Sequence, residues 1–164
     1  MSELRTNKIY PRDGLPSGAS GGIIQVVEAS DYTATSVTSS SFVDTGLSAT
    51  ITPTSSSNKI LVYVSHNTWK HGTNNYMHLI LAVSSGGSYS TVGYIDDLVA
   101  YSNSTGGMSH RPNAMILHSP ATTSAITYKT QCKVSGTGAI TINADASSGT
   151  EQSRGSMILM EVSG

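Results

Sequence analysis

From residue 23 onward, apolar and polar positions alternate with the period of two that marks a β-strand, in short runs set apart by turn-forming residues. Ten such runs cover residues 23–28, 41–45, 47–52, 59–66, 76–83, 89–94, 113–118, 125–134, 139–144 and 157–162. Clusters of Ser, Gly, Asn and Thr separate them at 54–58, 84–87, 102–107, 135–138 and 146–155. No window of helical length sustains a 3.6-residue period, and only 96–101 admits a short helical turn. Many short strands at this spacing predict an all-β sandwich or barrel.

The alternation separates two kinds of strand. Residues 125–134 carry Ile126, Tyr128, Thr130, Cys132 and Val134 on one face and Thr127, Lys129, Gln131 and Lys133 on the other, one dry and one wet. Residues 139–144 follow suit, with Ile140 and Ile142 opposite Thr141 and Asn143. The runs 59–66, 76–83, 113–118 and 157–162 are instead apolar on both faces, as in Ile60, Val62 and Val64 against Leu61 and Tyr63. A two-layer sandwich has one core, so each strand needs only one apolar face. With no helix to cover the second face, another copy of the chain is the expected cover, and a homo-oligomer follows. The expected interface residues are Tyr63, Tyr76, Met157, Leu159 and Glu161, with Glu161 needing a basic group from the neighbour because a buried unpaired charge is costly.

Composition narrows the function. The 164 residues carry 9 basic and 10 acidic side chains, and only 12% are charged, so the basic field of a nucleic-acid binder is missing. No polybasic segment addresses a membrane surface, and no apolar run is long enough to insert in a bilayer. Cys132 is the single cysteine, which excludes an internal disulfide and any multi-cysteine zinc site, and its place in a strand makes it a packed thiol. Residues 1–21 differ from the rest: Pro11, Gly14, Pro16, Gly18 and Gly21 exclude a helix or a paired central strand, so this segment reads as an extended arm ahead of a head domain at 22–164. The start, MSELRTNKIYPRDG, lacks the apolar stretch of a signal peptide, so synthesis and assembly in a cytoplasm are expected.

The arm and its junction, LRTNKIYPRDGLPSGASGGIIQVV, resemble the start of short fibre and adhesin-type virion proteins of tailed bacteriophages, marine ones especially. The closing strand, GSMILMEVSG, resembles the end of the trimeric jelly roll found in complement-type and tumour-necrosis-factor-like heads. The resemblance implies an antiparallel jelly-roll-like β-sandwich behind an extended N-terminal arm, assembled as a homotrimer in a virion made in the bacterial cytoplasm. It implies a tail fibre for host attachment, or else a head-decoration fibre or tail adaptor without a host ligand. The arm would dock on a neighbouring tail or capsid protein, and Arg5, Ile9, Tyr10 and Pro11 are its candidate contacts.

Candidate chemistry concentrates in residues 66–76, HNTWKHGTNNY. Read as a loop, this stretch displays the only tryptophan beside several amides, a combination that suits a host surface glycan, with Trp69, Lys70, His71 and Asn74 as the binding set. The same ring would serve equally as an anchor at a subunit interface. The five histidines show no tight ligand spacing, so no metal and no cofactor are expected; copies gathered on a threefold axis are the one route to a metal site. Asp96 and Asp97 are neighbours that would point to opposite faces of a strand and cannot flank one sugar bond, and no GxSxG elbow is present. The expectation is a non-enzymatic protein, with polysaccharide trimming as the less favoured alternative.

Overall fold

A computed structural model describes residues 22–70, 75–102, 107–136, 138–145 and 151–164. The arm of residues 1–21, with Arg5, Ile9, Tyr10 and Pro11, lies outside the described residues, as do His71 and Asn74. In chain order the strands are β1 (Ile23–Asp31), β2 (Thr35–Val37), β3 (Val43–Ile51), β4 (Lys59–Ser65), β5 (Thr68–Lys70), β6 (Asn75–Ser84) and β7 (Ser90–Ser102). They continue as β8 (Met108–His110), β9 (Asn113–His118), β10 (Ile126–Ser135), β11 (Ile140–Ile142), β12 (Ala144–Asp145), β13 (Glu151–Gln152) and β14 (Gly155–Val162). No helix occurs among the described residues.

All pairings are antiparallel. The first sheet runs β1-β14-β4-β9 and the second β3-β10-β6-β7, the sandwich expected from the strand pattern, in the jelly-roll-like form that the resemblance implied. A third sheet, β2-β11-β5-β8, prolongs the first: β2 follows β1, β5 follows β4 and β8 precedes β9 along the chain. A two-stranded ribbon, β12-β13, completes the set.

One core fills the space between the sheets. Ile60, Val62, Val64, Met157 and Leu159 enter it from the first sheet, and Leu47, Ile51, Met77, Leu79, Leu81, Tyr128 and Cys132 from the second. Val37, Ile140 and Ile142 extend it beneath the third sheet. The dry face predicted for β10 is dry throughout, from Ile126 to Val134. Burial pushes the Cys132 thiol up to about 12, helped by the charge of Asp44, so it packs as an apolar group.

Several local expectations change. The two runs predicted at 41–45 and 47–52 merge into one strand, Val43–Ile51, because Gly46 takes φ 97° and the chain continues through a bulge: opposite the single residue between Lys129 and Gln131, β3 places three. The 96–101 stretch is strand, held by pairing with β6 along a ladder interrupted by bulges. Residues 139–144 break at Asn143, which sits at φ 57°, and both Thr141 and Asn143 are buried rather than wet. Thr68–Lys70 is a strand paired on both sides, not part of a displayed loop.

Candidate functional site

The double-faced strands explain the most conspicuous surface. Three of the four (β4, β9 and β14) are neighbours in the first sheet, so their second faces line up. Register places Val26, Met160, Leu61 and Leu117 in one row across four strands, and Glu28, Ile158, Tyr63 and Met115 in the next. Met115 is 66% exposed, Val26 58% and Leu117 55%, while Leu61, Tyr63, Ile158 and Met160 are half-buried between them. Ile24, also exposed, extends the patch beyond these rows. The following row, Ser30, Ser156, Ser65 and Asn113, is polar and ends the patch, and Glu28 pairs with Arg154 at its margin. Single exposed apolar side chains are ordinary on a protein surface; here they stand side by side in one sheet face.

The structure corrects the expected interface. Met157, Leu159 and Glu161 point into the core of their own chain and are wholly buried. The alternate residues Ile158, Met160 and Val162 face outward instead. Of the expected set, Tyr63 lies on the apolar face; Tyr76 lies on the outer face of the second sheet, opposite Ser135. The fourth double-faced strand, β6, needs no second chain, since Ile80 and Ala82 are already buried beside Gln131 and Lys129 of β10.

Glu161 also finds its partners at home. Its carboxylate accepts hydrogen bonds from Gln25 Nε2 (2.6 Å), Thr54 N (2.7 Å), Thr54 Oγ1 (2.8 Å) and Asn58 Nδ2 (2.6 Å). Removal from water alone would raise this carboxyl, but the donors from Asn58, Gln25 and Thr54 outweigh it and hold it at about 2. Neutral amides and a hydroxyl thus replace the basic neighbour expected from sequence.

A second polar system crosses the interior. Asn143 Nδ2 donates to Asp31 Oδ2 (2.9 Å), which turns its Oδ1 toward His66 Nδ1 (3.0 Å). His66 Nδ1 therefore carries the proton. Burial lowers the imidazole below its ordinary 6.5, with Asn143 and the Asp31 charge restoring part of the shift, so Nε2 is bare and accepts from Thr130 Oγ1 (2.9 Å). The Thr130 proton being committed, Thr45 Oγ1 is the donor across its 2.5 Å contact with Thr130 Oγ1. The result is a one-way relay, Thr45 to Thr130 to His66 to Asn143 to Asp31, joining β3, β10, the β4–β5 junction, the β11–β12 turn and β1. Thr45, Thr130, His66 and Asn143 are at most 1% exposed, so the relay fixes structure and offers no surface to a substrate.

Of the predicted glycan set, the two described residues, Trp69 and Lys70, are not displayed. Lys70 is wholly buried on β5, and Trp69 is half-buried, its ring so close to Gly107 that a Cβ there would collide with it. Sequence reasoning missed a third cluster, on the outer face of the second sheet: His78 Nδ1 meets Asp97 Oδ1 at 2.6 Å and His78 Nε2 meets Ser135 Oγ at 3.2 Å. The trio has the composition of a nucleophile–base–acid set. Its Asp97 is 65% exposed, however, so water competes for the bond that would orient the imidazole. Parity puts Ser135 on the wet face of β10, but β6 reads apolar on both faces, so only its register with β10 brings His78 beside Ser135. Among the described residues, no three of His, Cys, Asp and Glu gather in a group that could hold a metal ion. In comparisons with known proteins, no protein-family model matches the chain, and neither does any curated protein sequence.

Proposed function

We propose that this chain is a self-associating, non-enzymatic structural head, carried as a homotrimer by a short fibre of a tailed-phage virion and anchored there through residues 1–21. The observation that carries the reading is the apolar outer face of β1-β14-β4-β9, where Val26, Met115 and Leu117 meet solvent around the half-buried Leu61, Tyr63, Ile158 and Met160. Fully covering one such side chain contributes about 1.5–3 kcal/mol, so a face of seven apolar residues in two rows favours burial against copies of itself. Threefold order is the part supplied by the likeness to complement-type and tumour-necrosis-factor-like heads, and the virion role by the likeness of the arm. In this role the head works by stiffness and multivalent presentation: three copies engage weak sites together and gain avidity.

Native mass tests the reading. Light scattering on the purified full chain is expected to give three times its 17.1 kDa, and Leu117→Lys to give the single-chain mass with the fold retained. A parent chain that stays monomeric at micromolar concentration overturns the proposal. Localisation on particles by labelling, with and without residues 1–21, tests the virion role separately.

A further inference from the structure

We propose that the outer face of the second sheet binds an uncharged sugar unit, in the shallow cavity of about 230 Å³ lined by Asp44, Gly46, Leu47, Ser48, Tyr89 and Lys129. The inference goes beyond the self-association reading and does not depend on it. The cavity has a local cause. The bulge at Gly46 breaks the even ladder between β3 and β10 beside Asp44 and Ser48. Across β10, Ala82 stands opposite Lys129, so only a methyl group occupies the sheet surface on that side.

The groups around the cavity are those a sugar needs. Tyr89 is 40% exposed and offers an aromatic surface to the C–H face of a pyranose; Lys129 Nζ sits 3.7 Å from its ring centre and holds the ring in place from one side. The same Nζ donates to Asp44 Oδ2 at 2.9 Å, and Gln131 Nε2 donates to Asp44 Oδ1 at 2.8 Å. Asp44 is thereby fixed while its side chain stays 58% exposed, leaving acceptor capacity for sugar hydroxyls. Ser48 lines the same cavity and can donate or accept. One ammonium and one carboxylate cancel, so the site has no net charge with which to draw an ionic sugar. Its volume is below the roughly 300–1,000 Å³ of pockets that enclose drug-sized ligands, so it accommodates one ring of a longer glycan. The cavity lies on the sheet opposite the apolar face, which leaves it open when that face is covered.

Saturation-transfer NMR on the full chain, with the methyl glycosides of glucose, galactose and mannose and with the methyl glycoside of sialic acid as the charged probe, tests this. At least one neutral glycoside is expected to bind with millimolar affinity. Tyr89→Ala is expected to weaken it about tenfold or more, and Tyr89→Phe, which keeps the aromatic face, to retain it. Native mass and circular dichroism of each variant, unchanged from the parent, separate loss of the site from loss of the fold. No binding of any neutral glycoside at tens of millimolar, equal binding by Tyr89→Ala, or a preference for sialic acid overturns the proposal.

Discussion

The imidazole of His66 and the side-chain amide of Asn143 lie 3.0 Å apart in the buried interior, and the orientation of one dictates the protonation of the other. Because Asn143 spends its amino group on Asp31, it presents only an acceptor to His66. The ring is therefore a neutral Nδ1–H tautomer, and everything upstream of it, Thr130 and then Thr45, takes a fixed donor direction.

This arrangement makes stability fall on acidification. Burial lowers the folded-state pKa of His66, so the unfolded chain binds more protons below about 6.5, and stability present above that pH is lost as pH falls toward the depressed value. His118, hydrogen-bonded to Tyr128 and also lowered by burial, adds to the slope with the same sign. Melting temperature is expected to drop between pH 6.5 and 5, less steeply in His66→Gln and least in the double variant with His118→Gln. A parent slope shared by the double variant would contradict this.

Glu161 acts in a lower window. Its carboxyl sits at about 2 against an ordinary 4.5, so its stabilisation is complete above 4.5 and is lost as pH falls toward 2. Glu161→Gln is expected to flatten the melting curve over that interval. Glu161→Ala leaves the donors of Gln25, Thr54 and Asn58 without their acceptor and is expected to cost on the order of 2 kcal/mol at neutral pH, read by urea unfolding.

Thr130→Val removes the hydroxyl at the centre of the relay while keeping its shape. His66 Nε2 then loses its donor inside the core, and Thr45 Oγ1 keeps only its longer bond to the backbone carbonyl of residue 130 (3.2 Å), a loss of about 1–3 kcal/mol. Equilibrium denaturation measures it, and an effect under 0.5 kcal/mol, the ordinary level for a surface change, would remove the relay's structural role.

Gly155→Ala probes the same system from the other side. A Cβ at 155 would lie 2.7 Å from Asn143 Oδ1 and 2.9 Å from His66 Nδ1, so the pair must part to admit it. Destabilisation of about 1–3 kcal/mol is expected, together with a shifted His66 ring resonance in NMR.

How much of this was legible in the chain turns on parity and on distance. A strand's period of two is a local property, so the sequence by itself determined that the protein is all-β, that Ile126, Tyr128, Thr130, Cys132 and Val134 share one face, and that β4, β6, β9 and β14 have too many apolar positions for one core. Which of two apolar faces turns inward is not a local property. It depends on the register with neighbouring strands, and that is why Met157, Leu159 and Glu161 proved to be core while Ile158 and Met160 look outward. Strand order, equally non-local, gathered three double-faced strands into one sheet and left β6 to its own chain. Asp31, Thr45, His66, Thr130 and Asn143 carry no motif, because their meeting is made by long-range pairing and not by spacing. Lys70, polar in a polar stretch, was placed at zero exposure by strands β11 and β8 on either side of it, a burial only the assembled sheet could decide.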